Sequence, residues 1–337
     1  MTTKLRVGVI GCGGIAKSVH LPSLHDIEDC EVVALCDLIQ ERAVTQAQRF
    51  SIPKTYVLFR EMLAKERLDA VFALVEPSSL FHVVNECLQN GLHVFMEKPP
   101  GITSFQTRSL ARAAKEASRI VQVGFNRRHI PLVEQILRIM RETTSITQVE
   151  GRFMKQGSAA FDKGGVLSLE SDVIHAIDLV RYFAQSEPVA TATVIGQYND
   201  VCVNAWNSVT RFANGVTGVI KSNYQTGGRV HDFEIHGPGA SAFINLGFGT
   251  QDCEARILFG EGKSGYSLAA TGDAPVPIQR IDGKKLAGSD QFYRFYGFYQ
   301  EDVHFLQCVR DNKSPLNNIE EAVKTFRYVD MIASNVI

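Results

Sequence analysis

Through the first 125 residues, short runs almost free of polar side chains alternate with stretches whose apolar residues recur every third or fourth position. Leu5 to Ile10, Glu31 to Cys36 (EVVALC), Leu68 to Val75 (LDAVFALV), His93 to Glu97 and Ile120 to Phe125 read as buried strands. Ile15 to Leu24, Gln40 to Phe50, Ser79 to Asn90 and Ser104 to Ala117 carry helical spacing, and Gly91 supplies a C′ glycine for the third of them. Strands separated by single helices build βαβ units, so residues 1–125 predict a doubly wound, parallel α/β domain. Beyond Phe125 the period changes. A helix from Pro131 to Arg141 precedes a long alternating strand, Ile146 to Met154, and another helix spans Ser171 to Phe183. ATATVIGQY, NSVTRFA, VTGVIKSNY, HDFEIHG and SAFINLG then alternate between Gly and Asn turns, and two helices follow at Tyr299 to Asp311 and Ile319 to Ser334. Residues 126–337 therefore predict an α+β domain on an open, mostly antiparallel sheet. The polar, Gly-rich stretch from Gly260 to Gly288 reads as long loops.

Composition narrows the partners. The 337 residues carry 35 Lys and Arg against 36 Asp and Glu, a net charge of −1, so no basic excess points to nucleic acid or a membrane surface. Seven cysteines (Cys12, Cys30, Cys36, Cys87, Cys202, Cys253, Cys308) lie scattered without a C-x-x-C pair. Neither a metal site nor a disulfide framework is expected, and reduced thiols fit a cytosol. The residues before the first strand are too few for a signal peptide. No apolar run approaches the ~18 residues of a membrane helix. The expectation is a cytoplasmic protein.

Gly11-Cys12-Gly13-Gly14-Ile15-Ala16 matches G-x-G-x-x-G/A between a strand and a helix. Gly11 makes the tight turn, Gly13 lets backbone approach a pyrophosphate, and Ala16 allows close helix–strand packing. Gly14 and Ile15 complete the loop over the helix N-terminus, where anions settle. Asp37 closes the second strand, placed to accept from the adenosine ribose hydroxyls. A bare turn and a helix N-cap are the plain alternatives for these two features. A carboxylate at 37, followed by Leu38-Ile39-Gln40 with no cation, favours NAD over NADP, while Arg42 is expected to face solvent.

MEKPPG (Met96 to Gly101) and VGFNRR (Val123 to Arg128) end later strands of this domain. With GVIGCGGIA, ALCD, GGVLSLESDVIHAIDLVRYF and YQEDVHFLQCVRDNKSPLNNIEEAV, they resemble the Gfo/Idh/MocA oxidoreductase family across the whole chain. The resemblance implies a Rossmann domain, an open-sheet substrate domain, and hydride transfer between NAD(P) and a sugar or cyclitol. Lys98 stands at the carboxyl end of a parallel strand, where such sheets bind ligands, and the peptide before Pro99 can be cis. An ammonium there favours a substrate alkoxide; the bland alternative is a surface pair with Glu97. Asp172 and His175 lie three apart, on one face of a helix. A neutral imidazole suits the general base, with the acid steadying its charged form; a packed histidine and a cap are the alternative. The family places its acid four residues before the histidine, where this chain has Ser171, so the choice between Ser171 and Asp172 stays open. Asp178 is assigned to the helix or an interdomain contact. Asn126 and Arg127 either line the cleft or form hinge contacts, and Lys155 is a weaker substrate candidate. Pro77 and Ser78 are read as a loop beside the nicotinamide ribose, with His82 displaced from the usual histidine. Glu97 is implied to contact that ribose.

Three functions follow. The first is an NAD(P)-dependent oxidoreductase acting on a sugar, inositol or related polyol. The second is an NAD-dependent glycosidase that oxidises transiently, and the third a non-catalytic dinucleotide-sensing regulator, against which Lys98 and His175 argue. Specificity is assigned to the open sheet and to loops such as Gly157 to Gly165. An apolar open face predicts a homodimer or homotetramer, unless the Gly260 to Gly288 loops cover it.

Overall fold

A computed structural model describes residues 3–157, 166–248, 252–260 and 278–337. In chain order the first elements are β1 (Leu5–Ile10), α1 (Leu21–His25), β2 (Cys30–Cys36), α2 (Gln40–Phe50), β3 (Lys54–Tyr56) and α3 (Phe59–Lys65). They continue through β4 (Ala70–Ala73), α4 (Pro77–Gln89), β5 (His93–Met96), α5 (Ser104–Ala117) and β6 (Val121–Val123). Next come α6 (Pro131–Thr143), β7 (Gln148–Gln156), α7 (Ile174–Ala184), β8 (Pro188–Gly196), β9 (Ala205–Phe212) and β10 (Thr217–Asn223). After these follow β11 (Gln225–Gly237), β12 (Ala240–Asn245), β13 (Glu254–Phe259), β14 (Ile278–Asp282) and α8 (Gly283–Ala287). The chain closes with α9 (Phe292–Phe295), α10 (Phe298–Asp311) and α11 (Ile319–Ser334).

Two compact units emerge, and neither is one continuous stretch. The first holds Met1–His129, Phe161–Ile174 and Gln291–Asp330; the second holds Ile130–Ala160, His175–Asp290 and Met331–Ile337. This differs from a division into 1–125 and 126–337, because the last helices return to the first unit. The reason is apolar surface. Phe305, Leu306 and Val309 of α10 join Val7, Val9, Phe72 and Phe95 in one buried cluster. Phe72 and Phe95 stack at 4.7 Å, and Phe305 meets Phe72 edge-on at 5.4 Å. Each such ring contributes about 1.5–3 kcal/mol by leaving water.

In the first unit the strands form a parallel sheet in the order β3-β2-β1-β4-β5-β6. This is the doubly wound α/β arrangement that the periodicity predicts, with ligand sites outside the carboxyl ends of the strands. Two details differ from the expected pattern. β3 and α3 are too short to show a period, and the helix expected from Ile15 begins as a π turn, Ala16–His20, before α1. Pro22 explains that turn, since it has no N–H to give the Ser18 carbonyl.

The described strands of the second unit form a sheet in the order β14-β13-β12-β11-β7-β10-β9-β8. Every pairing is antiparallel except β7 with β10. Val149, Phe153, Ile220, Phe233, Ile235 and Ile244 fill its buried face. The other face is mixed, apolar only in part as expected. Toward β7 and β11 it is charged: Glu150 pairs with Lys221 at 3.3 Å, Arg152 with Glu234, and Glu234 with His236 at 3.1 Å. Glu150, Glu234 and His236 also bring one ligand-type atom each within 4.8 Å of one another, but all three are engaged in these bonds. Toward β8 and β9 the same face is apolar: register sets Val209 beside Val219 and Val194 beside Asn207, and Val194 and Val209 are each about half accessible. Thr217, Val219, Lys221 and Asn223 alternate with Gly218, Ile220 and Ser222, so the mixed strand turns its polar set outward. Part of the expected Gly260 to Gly288 loop is β14 and α8, while 261–277 lie outside the described residues. Residues 158–165 of the expected specificity loop also lie outside them. The edge of β8 is extended by the C-terminal residues, Thr193 N donating to the Asn335 carbonyl and Ile337 N to the Thr193 carbonyl. Among the described residues no helix is long and apolar enough to cross a membrane.

Candidate functional site

The glycine loop has a steric cause. Gly11 holds φ +96°, and a Cβ there would lie 2.3 Å from the Leu74 carbonyl oxygen on the neighbouring strand end. Only glycine satisfies both constraints. Gly13 and Gly14 are bare for the opposite reason, with no atom within 4 Å of where a Cβ would stand. That open surface is what a bulky, backbone-hugging phosphate requires, so the loop fits a dinucleotide. Asp37 ties the loop down, its Oδ2 accepting from Cys12 N and its Oδ1 from Ile39 N, both at 2.8 Å. It is not the N-cap of α2, a position held by Ile39. Each carboxylate oxygen keeps further acceptor capacity.

Asp37 lines a cavity of about 520 Å³ with Val57, Phe59, Ser78 and His82, a volume and an apolar lining that suit an adenosine. Arg42 is exposed, as expected, and also borders this cavity. Pro77 and Ser78 are not a loop: they start α4, where proline's missing N–H is harmless. A second cavity of about 300 Å³ shares Gly13, Leu74 and Val75 with the first and is bordered by Gly14, Ile15, Pro77, Glu97, Lys98 and Ser171. The predicted cofactor residues thus gather around two contiguous cavities.

Lys98 follows β5, and its peptide bond to Pro99 is cis. Its backbone N donates to Glu97 Oε2 at 3.0 Å, and its Nζ donates to the Ser171 carbonyl at 2.6 Å. Ser171 sits in a π turn, Leu169–Val173, and its buried hydroxyl has no partner among the described residues. The helix expected from Ser171 is thus regular only from Ile174, and the three-residue spacing of Asp172 and His175 crosses a widened turn. Asp172 belongs to the first unit and His175 to the second; both are half-buried. Asp178 is buried in α7.

The other predicted contacts are more enclosed. Asn126 and Arg127 are buried in a 3₁₀ turn after β6, and the Asn126 amide donates to the Tyr296 carbonyl at 2.8 Å. Neither lines the cavity that holds Lys98. Lys155 places Nζ 4.8 Å from the Phe153 ring centre and 5.9 Å from that of Tyr224, a cation over aromatic faces.

Sequence reasoning missed His20, Glu301 and Asp302. His20 Nδ1 lies 3.0 Å from Asp302 Oδ1 and its Nε2 3.1 Å from Glu97 Oε1. Burial alone depresses its pKa, but Asp302 and Glu97 outweigh burial and raise it to about 10. Burial pushes Glu301 well above the usual carboxylate range, helped by Asp302 and Glu97. The available signal was a histidine on the apolar side of the helix that follows the glycine loop.

Residues 5–125 match the family model described as "Oxidoreductase family, NAD-binding Rossmann fold". D-apiose dehydrogenase of Paraburkholderia graminis is 27% identical over 97% of this chain and 86% of its own length. scyllo-Inositol 2-dehydrogenase (NAD(+)) of Bacillus subtilis is 25% identical over 94% of this chain and 89% of its own. A dehydrogenase from Chromobacterium violaceum superposes with a TM-score of 0.87 at 22% identity, covering 99% of this chain and 95% of that one, and shares the fold. With EKP at the end of β5 and the glycine loop at the end of β1, residues 5–125 match the NAD-binding Rossmann domain of the Gfo/Idh/MocA oxidoreductase family, and the chain is similar to dehydrogenases over nearly its whole length.

Proposed function

We propose that the chain oxidises a secondary alcohol of a sugar, inositol or related polyol to the ketone or lactone, with NAD preferred to NADP. The observation that carries this reading is the shared cavity of Gly13, Gly14, Glu97 and Lys98. Bound there, NAD supplies the carbon that takes the hydride. Lys98 Nζ rests on a neutral carbonyl, a partner that a substrate hydroxyl can replace. Its positive charge then favours the alkoxide as the proton leaves. His175 is the proposed base for that proton, with Asp172 steadying the imidazolium. Glu97 accepts from the nicotinamide ribose, and Asp37 accepts from the adenosine ribose and repels a 2′-phosphate. Lys155 is the proposed substrate cation of the second unit, while Asn126 and Arg127 support the strand end from within.

The test is an absorbance screen at 340 nm across polyols and aldoses, with NAD and NADP in parallel. NADH accumulating with one substrate class supports the reading. Sugar cleavage without net NADH would replace it with transient oxidation, and NAD binding without turnover on any member would replace it with a sensing role.

A further inference from the structure

Four ionisable side chains are buried together in the first unit: His20, Glu97, Glu301 and Asp302. His20 has a carboxylate oxygen at each ring nitrogen, Asp302 at 3.0 and 3.2 Å from Nδ1 and Glu97 at 3.1 Å from Nε2. A neutral imidazole donates from one nitrogen only, so the doubly protonated ring satisfies both acids. Phe72, Phe95 and Phe298 enclose the ring at 5.1–6.0 Å between centres, leaving it no accessible surface. Glu301, the next residue to Asp302, accepts instead from the Asn317 amide at 2.7 Å.

Stability alone explains such a cluster poorly. A buried ion triad often contributes less than apolar side chains of the same volume, and here three phenylalanines already supply an apolar lining. The arrangement has one outlet. Glu97 Oε1 is held by His20, Glu97 Oε2 accepts from the Lys98 backbone, and both residues border the cavity of the glycine loop.

We propose that His20 is a positioning residue: anchored by Asp302 on α10, it fixes the Glu97 carboxylate, which fixes the backbone of Lys98 and the acceptor offered to the nicotinamide ribose. The raised pKa of His20 agrees with an imidazolium that persists across the working range of the enzyme. The role assigned to Lys98 rests on the dehydrogenase reading; the hold on Glu97 does not.

The experiment compares His20→Asn, Asp302→Asn, Glu97→Gln and the double variant H20N/E97Q. NADH dissociation constants are read from bound-nicotinamide fluorescence, kinetics from the best substrate of the screen, and thermal midpoints from each chain. H20N and D302N should each weaken NADH binding and lower kcat/KM for NAD by about 10- to 100-fold, the scale of a displaced reacting group. H20N/E97Q should be no worse than E97Q alone, since both act through one carboxylate. A lowered midpoint with unchanged NADH affinity, or effects that add in the double variant, would overturn the proposal. Should H20N fail to fold, D302N, which keeps the shape of its side chain, decides by the same reading. Nitrogen-15 spectra of the unaltered chain test the charge of the ring: at pH 8.5 one imidazolium should persist among nine histidines, and a fully neutral set would overturn the doubly protonated ring. A wild type that binds NADH yet turns over no polyol or sugar removes the reaction while leaving the NADH comparison to judge His20.

Discussion

The two sheets put their chemistry in different places. In the parallel sheet the polar groups stand at strand ends: Gly11 after β1, Asp37 after β2, Glu97 and Lys98 after β5. In the mixed sheet they lie across a face, where register sets Glu234 opposite Glu150 and Asp232 opposite Arg152. A strand end is local in sequence, so its residues arrive as a readable motif. A face is assembled from residues about 80 positions apart, and only pairing reveals it. The lesson is that a motif marks where the backbone turns, while electrostatics across a sheet stay hidden until the register is known.

Exchanging a lysine of each unit gives the largest contrast. Lys98→Met should cut turnover by about 10²–10³-fold, the scale of losing one oriented donor, with NAD affinity nearly intact. Lys155→Met should cost far less and act on KM for the substrate. Steady-state kinetics of the pair measure this, and equal losses would erase the distinction between end and face.

Gly11→Ala comes next. The positive φ alone costs about 1–3 kcal/mol, and the overlap with the Leu74 carbonyl adds to it. The thermal midpoint should fall together with NAD affinity, whereas Gly215→Ala, also at positive φ but with open space around it, should affect only the midpoint.

Asp37→Ser with Leu38→Arg should invert the cofactor preference, since charge-assisted bonds to a ribose contribute about 1.5–3 kcal/mol. Calorimetric titration with NAD and NADP reads it. Tighter NADP binding by the unaltered chain would break the reading of β2.

Smaller, and confined to one pH window, is the effect of His20 on stability. Its folded pKa, about 10, lies above the ordinary 6.5, so its contribution is complete below pH 6.5 and fades as pH rises toward 10. The thermal-midpoint gap between wild type and H20N should therefore narrow from pH 6.5 upward. The thiols of Cys12 and Cys30, raised to about 12 chiefly by burial, lose stability in the same direction only above pH 9 and equally in both chains. A gap that widens with pH would contradict this sign.

Smallest is Glu234→Gln on the open face, where partly exposed pairs contribute about 0.2–1 kcal/mol. If copies of this chain associate through that face, as the dimer or tetramer expectation holds, the substitution should shift the particle size in light scattering more than the midpoint. A particle of 37.3 kDa in the unaltered chain would refute association.

Much of this was legible because repeats of strand and helix constrain one another. Gln40 to Phe50, Ser104 to Ala117 and Ile319 to Ser334 form as read, since each has a full apolar stripe and several turns. Three-residue β3 and four-residue α9 have no room for a period. The π turns at Ala16–His20 and Leu169–Val173 escape a 3.6-residue template by construction. At the site, Gly11, Asp37 and Lys98 were readable through their motifs. His20 was not, because its meaning comes from Asp302, which stands 282 positions away.

That separation bears on how the chain is made. The nucleotide-binding unit draws on residues 291–330, so its core is still missing Phe305, Leu306 and Val309 while residues 130–290 are being synthesised. Until then the inner faces of β1, β4 and β5 have no lid, and the buried histidine has no counterion from α10. Domains whose segments emerge early usually fold while translation continues; this one must wait, exposed, for residues 291–330. A ribosome stalled before residue 291 would hold a glycine loop that has been written but cannot yet be closed.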